Sequence, residues 1–184
     1  MILVVVEDDT ARQLMLAELG RYARDYHVES AKGGDEAMAR LGELRAEGDP
    51  VAMVLADLAL PPLDGVDVLT RVRSMVPTAK RILLLDWGLR PDQMPAVSRA
   101  AALGIADTFV TKPTGVRDEE FHAVITEDLG DWAWTTTPTV EAVKVVGDGH
   151  SRRIGEIRDL LERAGVPTGT QTGLPDRPSD YGCG

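Results

Sequence analysis

The sequence predicts a doubly wound α/β fold: a five-stranded parallel sheet covered by helices on both faces, with an additional C-terminal βα unit. Three observations predict it. Short apolar runs recur, each stopping at a polar residue, as expected of parallel strands that are buried on both faces. Segments with apolar residues at helical spacing separate the runs. Strand and helix signals alternate about five times over residues 1–133, and right-handed crossovers turn that alternation into one parallel sheet.

The first run, Ile2–Val6, stops at Glu7-Asp8-Asp9. A helix follows with Leu14, Leu16, Ala17, Leu19 and Tyr22 on its apolar face, with Thr10 as its expected cap and Asp9 as a capping or turn residue. His27–Ala31 is a weaker strand and is placed at or near an edge. Ala37, Met38, Leu41 and Leu44 form a second helix that Gly48-Asp49-Pro50 closes. Val51–Leu55 stops at Asp57, and a helix with Val66, Leu69, Val72 and Val76 ends at Pro77. Ile82–Leu85 stops at Asp86, and a helix poor in bulky side chains carries Met94, Val97 and Ala101. Phe109-Val110 precedes Lys112-Pro113, and Asp118-Glu119-Glu120 open a fifth helix with Phe121, Val124, Ile125, Leu129 and Trp132. Beyond this domain, 1–133, residues 134–141 read as a linker. Residues 142–167 read as a βα extension too small to fold alone, and 168–184 as a flexible tail.

The 184 residues carry 20 Lys and Arg against 30 Asp and Glu, a net charge of −10. That balance argues against contact with a nucleic-acid backbone. The single cysteine, Cys183, excludes an intrachain disulfide and a cysteine-built zinc site. The first apolar run is too short to span a bilayer and has no basic leader, so a soluble, cytoplasmic protein is expected.

In open α/β sheets ligands bind outside the carboxyl ends of the strands. Those ends carry Glu7, Asp8, Asp57, Asp86 and Lys112. Several carboxylates at one rim need raised pKa values, a cation, or both. Oxygen donors beside one lysine suit Mg²⁺, which takes one or two carboxylates and keeps its waters. A carboxylate beside that metal and a lysine can attack phosphorus and become an acyl phosphate, and Asp57 is the best placed to do so.

Ile2–Asp9, then Leu55-Ala56-Asp57 with Pro61 and Asp64-Gly65, then Thr111-Lys112-Pro113, together resemble the receiver domain of two-component response regulators over about residues 1–132. The resemblance implies a flavodoxin-like fold. It further implies metal binding by Glu7, Asp8, Asp57 and the Ala59 carbonyl, phospho-acceptance on Asp57 from a histidine kinase, and a phosphate contact from Lys112. A cis junction at Pro113 and a switch aromatic at Phe109 complete the implied set. One position departs: receivers usually end the fourth strand with Ser or Thr, where this chain has Asp86. A carboxylate there repels a phosphoryl group; at ~4 Å and an effective dielectric of ~20 a unit-charge pair costs about 4 kcal/mol. Asp86 is expected either to weaken phosphorylation or to leave its signal unrelayed through the usual hydroxyl–aromatic coupling, and it could instead pair with Lys112 or a backbone amide, or serve as a further metal ligand.

After the linker, Val143–Gly147, Ser151-Arg152 and Ile157–Pro167 resemble a thioredoxin-like unit that joins receivers to thioredoxin-reductase-like flavoenzymes. Leu85-Asp86-Trp87-Gly88 shares that likeness. The chain has no flavin fingerprint and no Cys-x-x-Cys, so it is not itself the reductase. Gly147-Asp148-Gly149-His150 is read as a capped turn rather than a phosphate loop. A non-enzymatic receiver is expected, with output by protein–protein contact, a thioredoxin-reductase-like or other protein as partner, and a homodimer as its assembly. The alternative is a phosphorylation-independent pseudo-receiver serving interaction or oligomerisation. A phosphohydrolase is disfavoured because Ala59 stands where its acid would be.

Overall fold

The structure is a computed structural model that describes residues 1–113, 115, 118–136, 143–147, 152–163 and 168–172. The chain divides into two compact units, Met1–Thr136 and Thr137–Gly184.

The first unit alternates strand and helix throughout. Its strands are β1 (Ile2–Val5), β2 (Val28–Ala31), β3 (Met53–Asp57), β4 (Lys80–Leu85) and β5 (Thr108–Thr111). Its helices are α1 (Asp9–Leu19), α2 (Gly34–Glu47), α3 (Gly65–Met75), α4 (Met94–Ala102) and α5 (Glu119–Thr136). The strands form one parallel sheet in the order β2-β1-β3-β4-β5. β2 is an edge strand, as its weaker pattern predicts. Strand order reverses between β1 and β3, which opens the crevice at their carboxyl ends.

Each inner strand divides its side chains between two cores, as the two-residue period of a strand requires. Leu3, Val5, Val54, Ala56 and Leu83 pack with Leu41 and Leu44 of α2, Leu69 and Val72 of α3, and Ala100 of α4. Ile2, Val4, Met53, Leu55, Ile82, Leu84 and Val110 pack with Met15 and Leu19 of α1 and with Phe121, Ile125 and Leu129 of α5. At about 1.5–3 kcal/mol for each fully buried Leu, Ile or Val, these two layers outweigh any polar contact in the unit.

On the second face, the buried Glu18 and His122 pair across helices. His122 Nε2 on α5 lies 2.8 Å from Glu18 Oε2 on α1, and the Tyr22 hydroxyl lies 3.1 Å from His122 Nδ1. Asp128 is buried, and among the described residues its Oδ2 has no hydrogen-bond partner. Burial pushes its pKa up, against the opposing effects of a Thr108 hydrogen bond and Lys80.

Element ends bring three differences from the sequence reading. Asp8, not Thr10, caps α1: its backbone is extended and its Oδ1 accepts the Ala11 N–H at 2.7 Å, leaving Thr10 and Asp9 inside the helix. α5 continues through Trp134 to Thr136 rather than yielding to a linker at 134. The Thr135 hydroxyl donates to the Asp131 and Trp132 carbonyls and Thr136 to that of Trp132, so these threonines bond back into the helix. The second unit holds β6 (Val143–Gly147), α6 (Arg152–Arg163) and β7 (Thr168–Thr172), where a tail was expected. β7 pairs parallel with β6, and its alternating β-branched threonines suit a strand. His150, Ser151 and Cys183 lie outside the described residues. Among the described residues no helix is long and apolar enough to cross a membrane.

Glycine is required at the start of α3. A Cβ on Gly65 would stand 2.8 Å from the Asp57 carbonyl carbon and closer still to its oxygen. Gly65→Ala is therefore expected to lower stability in urea by about 1–3 kcal/mol, the range for overpacking; an unchanged midpoint would contradict this contact. For Asp128, a folded pKa above the unfolded one means that its contribution to stability falls as pH rises from the ordinary carboxylate range through the raised value. Asp128→Asn is thus expected to raise the urea midpoint at neutral pH, with the advantage shrinking in acid. No gain at neutral pH would contradict the burial argument.

Candidate functional site

The ends of three strands converge on one ammonium. Asp57 closes β3 and is 4% exposed. It stands in register with Leu84 of β4, which pairs with Val110 of β5, so Asp86 and Lys112 leave the sheet side by side two residues further on. The Lys112 backbone N–H donates to the Leu85 carbonyl at 2.8 Å, which extends the ladder to the site. Its Nζ then donates to Asp57 Oδ2 at 2.7 Å and to Asp86 Oδ1 at 2.5 Å. Burial works against the Lys112 charge, but its hydrogen bonds to the Asp57 and Asp86 carboxylates outweigh that effect, and the pKa is raised. The ammonium therefore stays charged at neutral pH and compensates the buried carboxylate.

Local structure fixes Asp57 from the other side. The Ala59 N–H donates to Asp57 Oδ1 at 3.2 Å, and the Gly65 N–H donates to the Leu58 carbonyl at 3.1 Å, folding the loop back over the strand end. Asp64 caps α3 by accepting the Asp67 N–H at 2.8 Å, and Arg99 of α4 ties down Asp64 at 3.0 Å. Among the described residues the cis peptide bond is Pro61–Pro62, in this loop, and not the expected junction at Pro113.

β1 delivers Glu7 and Asp8 to the same edge, because Val5 pairs with Ala56. Both are exposed. Their loop is held by Arg12, a residue that the sequence reading passed over. Its buried guanidinium donates from Nη1 to the Val6 and Glu7 carbonyls, each at 3.0 Å, and from Nη2 to Asp9. The buried face of α1 is Arg12, Met15, Glu18 and Leu19, whereas Leu14 and Leu16 of the expected face are half-buried and Ala17 is exposed; Arg12 falls three and seven residues before Met15 and Leu19, at helical spacing. Asp9 is accordingly not a cap but a partner of Arg12 and Lys32, and the Arg12 hydrogen bond holds its carboxyl below the usual range.

Phe109 is half-buried and packs against the core on the α2, α3 and α4 face. Trp87, next to Asp86, is 82% exposed. It shares a cleft beside the site with Phe109, Lys112, Asp118 and Phe121.

The oxygen groups at this edge that could hold a metal are Glu7, Asp8, Asp57 and, in the loop after β3, the Ala59 carbonyl. Among the described residues no three His, Cys, Asp or Glu side chains form a ready-made cage. Asp8 Oδ1 is engaged in the helix cap, and Asp57 Oδ2 is on Lys112. One or two carboxylate oxygens and a carbonyl fit a hard divalent ion that keeps several waters, and suit no metal that needs a full protein shell.

Comparison with known proteins identifies the family and the fold. The sequence model of the response regulator receiver domain matches residues 2–126. Transcriptional regulatory protein KdpE of Mycobacterium tuberculosis is 35% identical over 124 residues, 67% of this chain and 49% of its own length. Transcriptional regulatory protein AruR of Pseudomonas aeruginosa is 35% identical over 118 residues, 64% of this chain and 45% of its own. The chain thus spans about half the length of the curated relatives it matches. Among solved structures, the signal receiver domain of an HD domain-containing protein from Pseudomonas fluorescens superposes with a TM-score of 0.60 at 23% identity. That superposition covers 73% of this chain and 89% of the other, and shows the shared fold. Since the family match takes in well over half of its residues, the chain belongs to the response regulator receiver domain family of two-component signalling.

Proposed function

We propose that the chain accepts a phosphoryl group on Asp57 from a histidine kinase and passes the signal on by protein–protein contact. The observation that carries this reading is the 2.7 Å contact between the Lys112 ammonium and a carboxylate that is 4% exposed at the switch point of the sheet. In the transfer, an Asp57 carboxylate oxygen attacks phosphorus, the phosphohistidine N–P bond breaks, and an acyl phosphate remains on Asp57. Lys112 holds Asp57 in place and then contacts the phosphoryl oxygens; no proton need leave Asp57, which attacks as its anion. Glu7, Asp8, Asp57 and the Ala59 carbonyl would hold Mg²⁺, which supplies charge neutralisation for the transferring oxygens when bound. Phe109, inside β5 and in the cleft it shares with Lys112, would report the site's occupancy to the α4 side as the switch aromatic.

Several finer assignments belong to the same reading. The chain is taken as a non-enzymatic, cytoplasmic receiver that does not itself bind nucleic acid, since its charge is −10. It is taken as a relative of receivers joined to thioredoxin-reductase-like flavoenzymes, with such a protein as an output partner. The unit of β6, α6 and β7 is too small to be stable by itself, which supports a homodimer. The second reading, a pseudo-receiver that works without phosphorylation, is favoured by one observation, the occupation of Lys112 by Asp86.

Intact mass after incubation with acetyl phosphate and Mg²⁺ separates the two readings. One added phosphoryl group is expected, absent in Asp57→Asn or with chelator, and formed on the order of 100-fold more slowly in Lys112→Met. No added mass in the wild type would select the pseudo-receiver. Sedimentation of the whole chain over a concentration series tests the assembly; a dimer is expected, and a monomer throughout would contradict it.

A further inference from the structure

Lys112 serves two carboxylates, and they differ in how firmly they are held. Asp57 has a side chain 6% exposed, closes a strand in the middle of the sheet, and accepts a second hydrogen bond from Ala59. Asp86 has a side chain 51% exposed and lies beyond β4, followed by Trp87, 82% exposed, and Gly88 at φ 83°. Yet the contact from Lys112 to Asp86, at 2.5 Å, is the shorter of the two. A phosphoryl group on Asp57 adds about −1.5 to −2 charges and three strong acceptor oxygens. The ammonium of Lys112, whose side chain is 17% exposed, cannot satisfy that group and Asp86 together without holding like charges against each other. The half-exposed carboxylate is the partner that water can take back.

We propose that Asp86 is a displaceable carboxylate that occupies Lys112 until Asp57 is phosphorylated, and that its expulsion turns the Asp86-Trp87-Gly88 loop outward. This rests on the phosphoryl-acceptor reading of Asp57. Asp86 acts as a positioning residue: it holds the ammonium in the unmodified protein and competes with the phosphoryl group for it. The loop then moves because a charge is rejected, not because a hydroxyl is drawn in. The exposed indole of Trp87 travels with it, so the surface that changes lies beside the cleft of Phe109 and Lys112.

Binding of beryllofluoride with Mg²⁺ to the whole chain, followed by ¹⁹F NMR, tests the competition. Asp86→Asn and Asp86→Thr are expected to bind about tenfold more tightly than the wild type, the order of effect of removing one like charge from a partly exposed site. Wild-type tryptophan emission is expected to change on binding, and the change to vanish in Trp87→Phe. Equal or weaker binding by both Asp86 variants overturns the proposal, as does emission that ignores binding. A double-mutant cycle of Asp86→Asn and Lys112→Met on the urea midpoint needs no phosphoryl analogue and is expected to be non-additive. Additivity overturns the hold of Asp86 on Lys112 even if beryllofluoride binds. Absence of binding in every variant, with non-additivity intact, overturns the phosphoryl-acceptor reading and the displacement step while leaving the pair standing.

Discussion

A carboxylate as buried as Asp57 can remain charged only if a cation is brought to it, and in this fold that cation is Lys112, donating at 2.7 Å from the end of a different strand. The pairing depends on distance at the level of a few ångströms. It therefore depends on everything that sets the heights of β3, β4 and β5 relative to one another. Parallel register does most of this work: Asp57 opposite Leu84, and Leu85 opposite Thr111, leave Lys112 with no freedom to drift along the sheet. The two apolar layers fix the register, since a slip of one residue would exchange the side chains that belong to each face.

The loops finish what the sheet begins. Gly65 lets α3 start against the Asp57 carbonyl, where a side chain would collide with backbone. Arg12 ties the turn after β1 to its own helix through two carbonyls, so the exposed Glu7 and Asp8 are presented from a fixed frame. Asp8 caps α1 while standing among the proposed metal donors, which places a helix start and an acidic rim in the same few atoms. A site assembled from strand ends, a helix cap and one lysine has little covalent chemistry of its own. Its contribution is charge placed in advance, where a phosphoryl group would develop it.

Much of this could be read before any coordinates. Apolar runs that stop at Asp57, Asp86 and before Lys112 mark strand ends, and strand ends of a parallel sheet must share an edge, so the placing of these three residues on one edge follows from pattern alone, while their contact depends on the adjacency of β3, β4 and β5. The two-sided core is legible for the same reason. What stayed hidden depends on competition between neighbours. Asp8, Asp9 and Thr10 can each cap a helix, and only the backbone angles decide for Asp8. Arg12 looks like a surface charge until its spacing with Met15 and Leu19 is set against the carbonyls it meets. The extension of α5 to Thr136 and the strand at Thr168–Thr172 were hidden by threonine, which serves linkers, helix ends and strands alike. The pairing of Asp86 with Lys112 was one of several options in the sequence, because the direction of a side chain in a loop has no periodicity to reveal it.

The charge-sharing at Lys112 is the centre of this account, and a crystal structure of the chain with Mg²⁺ and beryllofluoride bound examines it most directly. The tetrahedral beryllofluoride is expected on the Asp57 carboxylate, with the Lys112 ammonium on one of its fluorines and the Asp86 carboxylate turned into solvent. Beryllofluoride lodged away from Asp57, or Asp86 still seated on Lys112 beside it, would contradict the account.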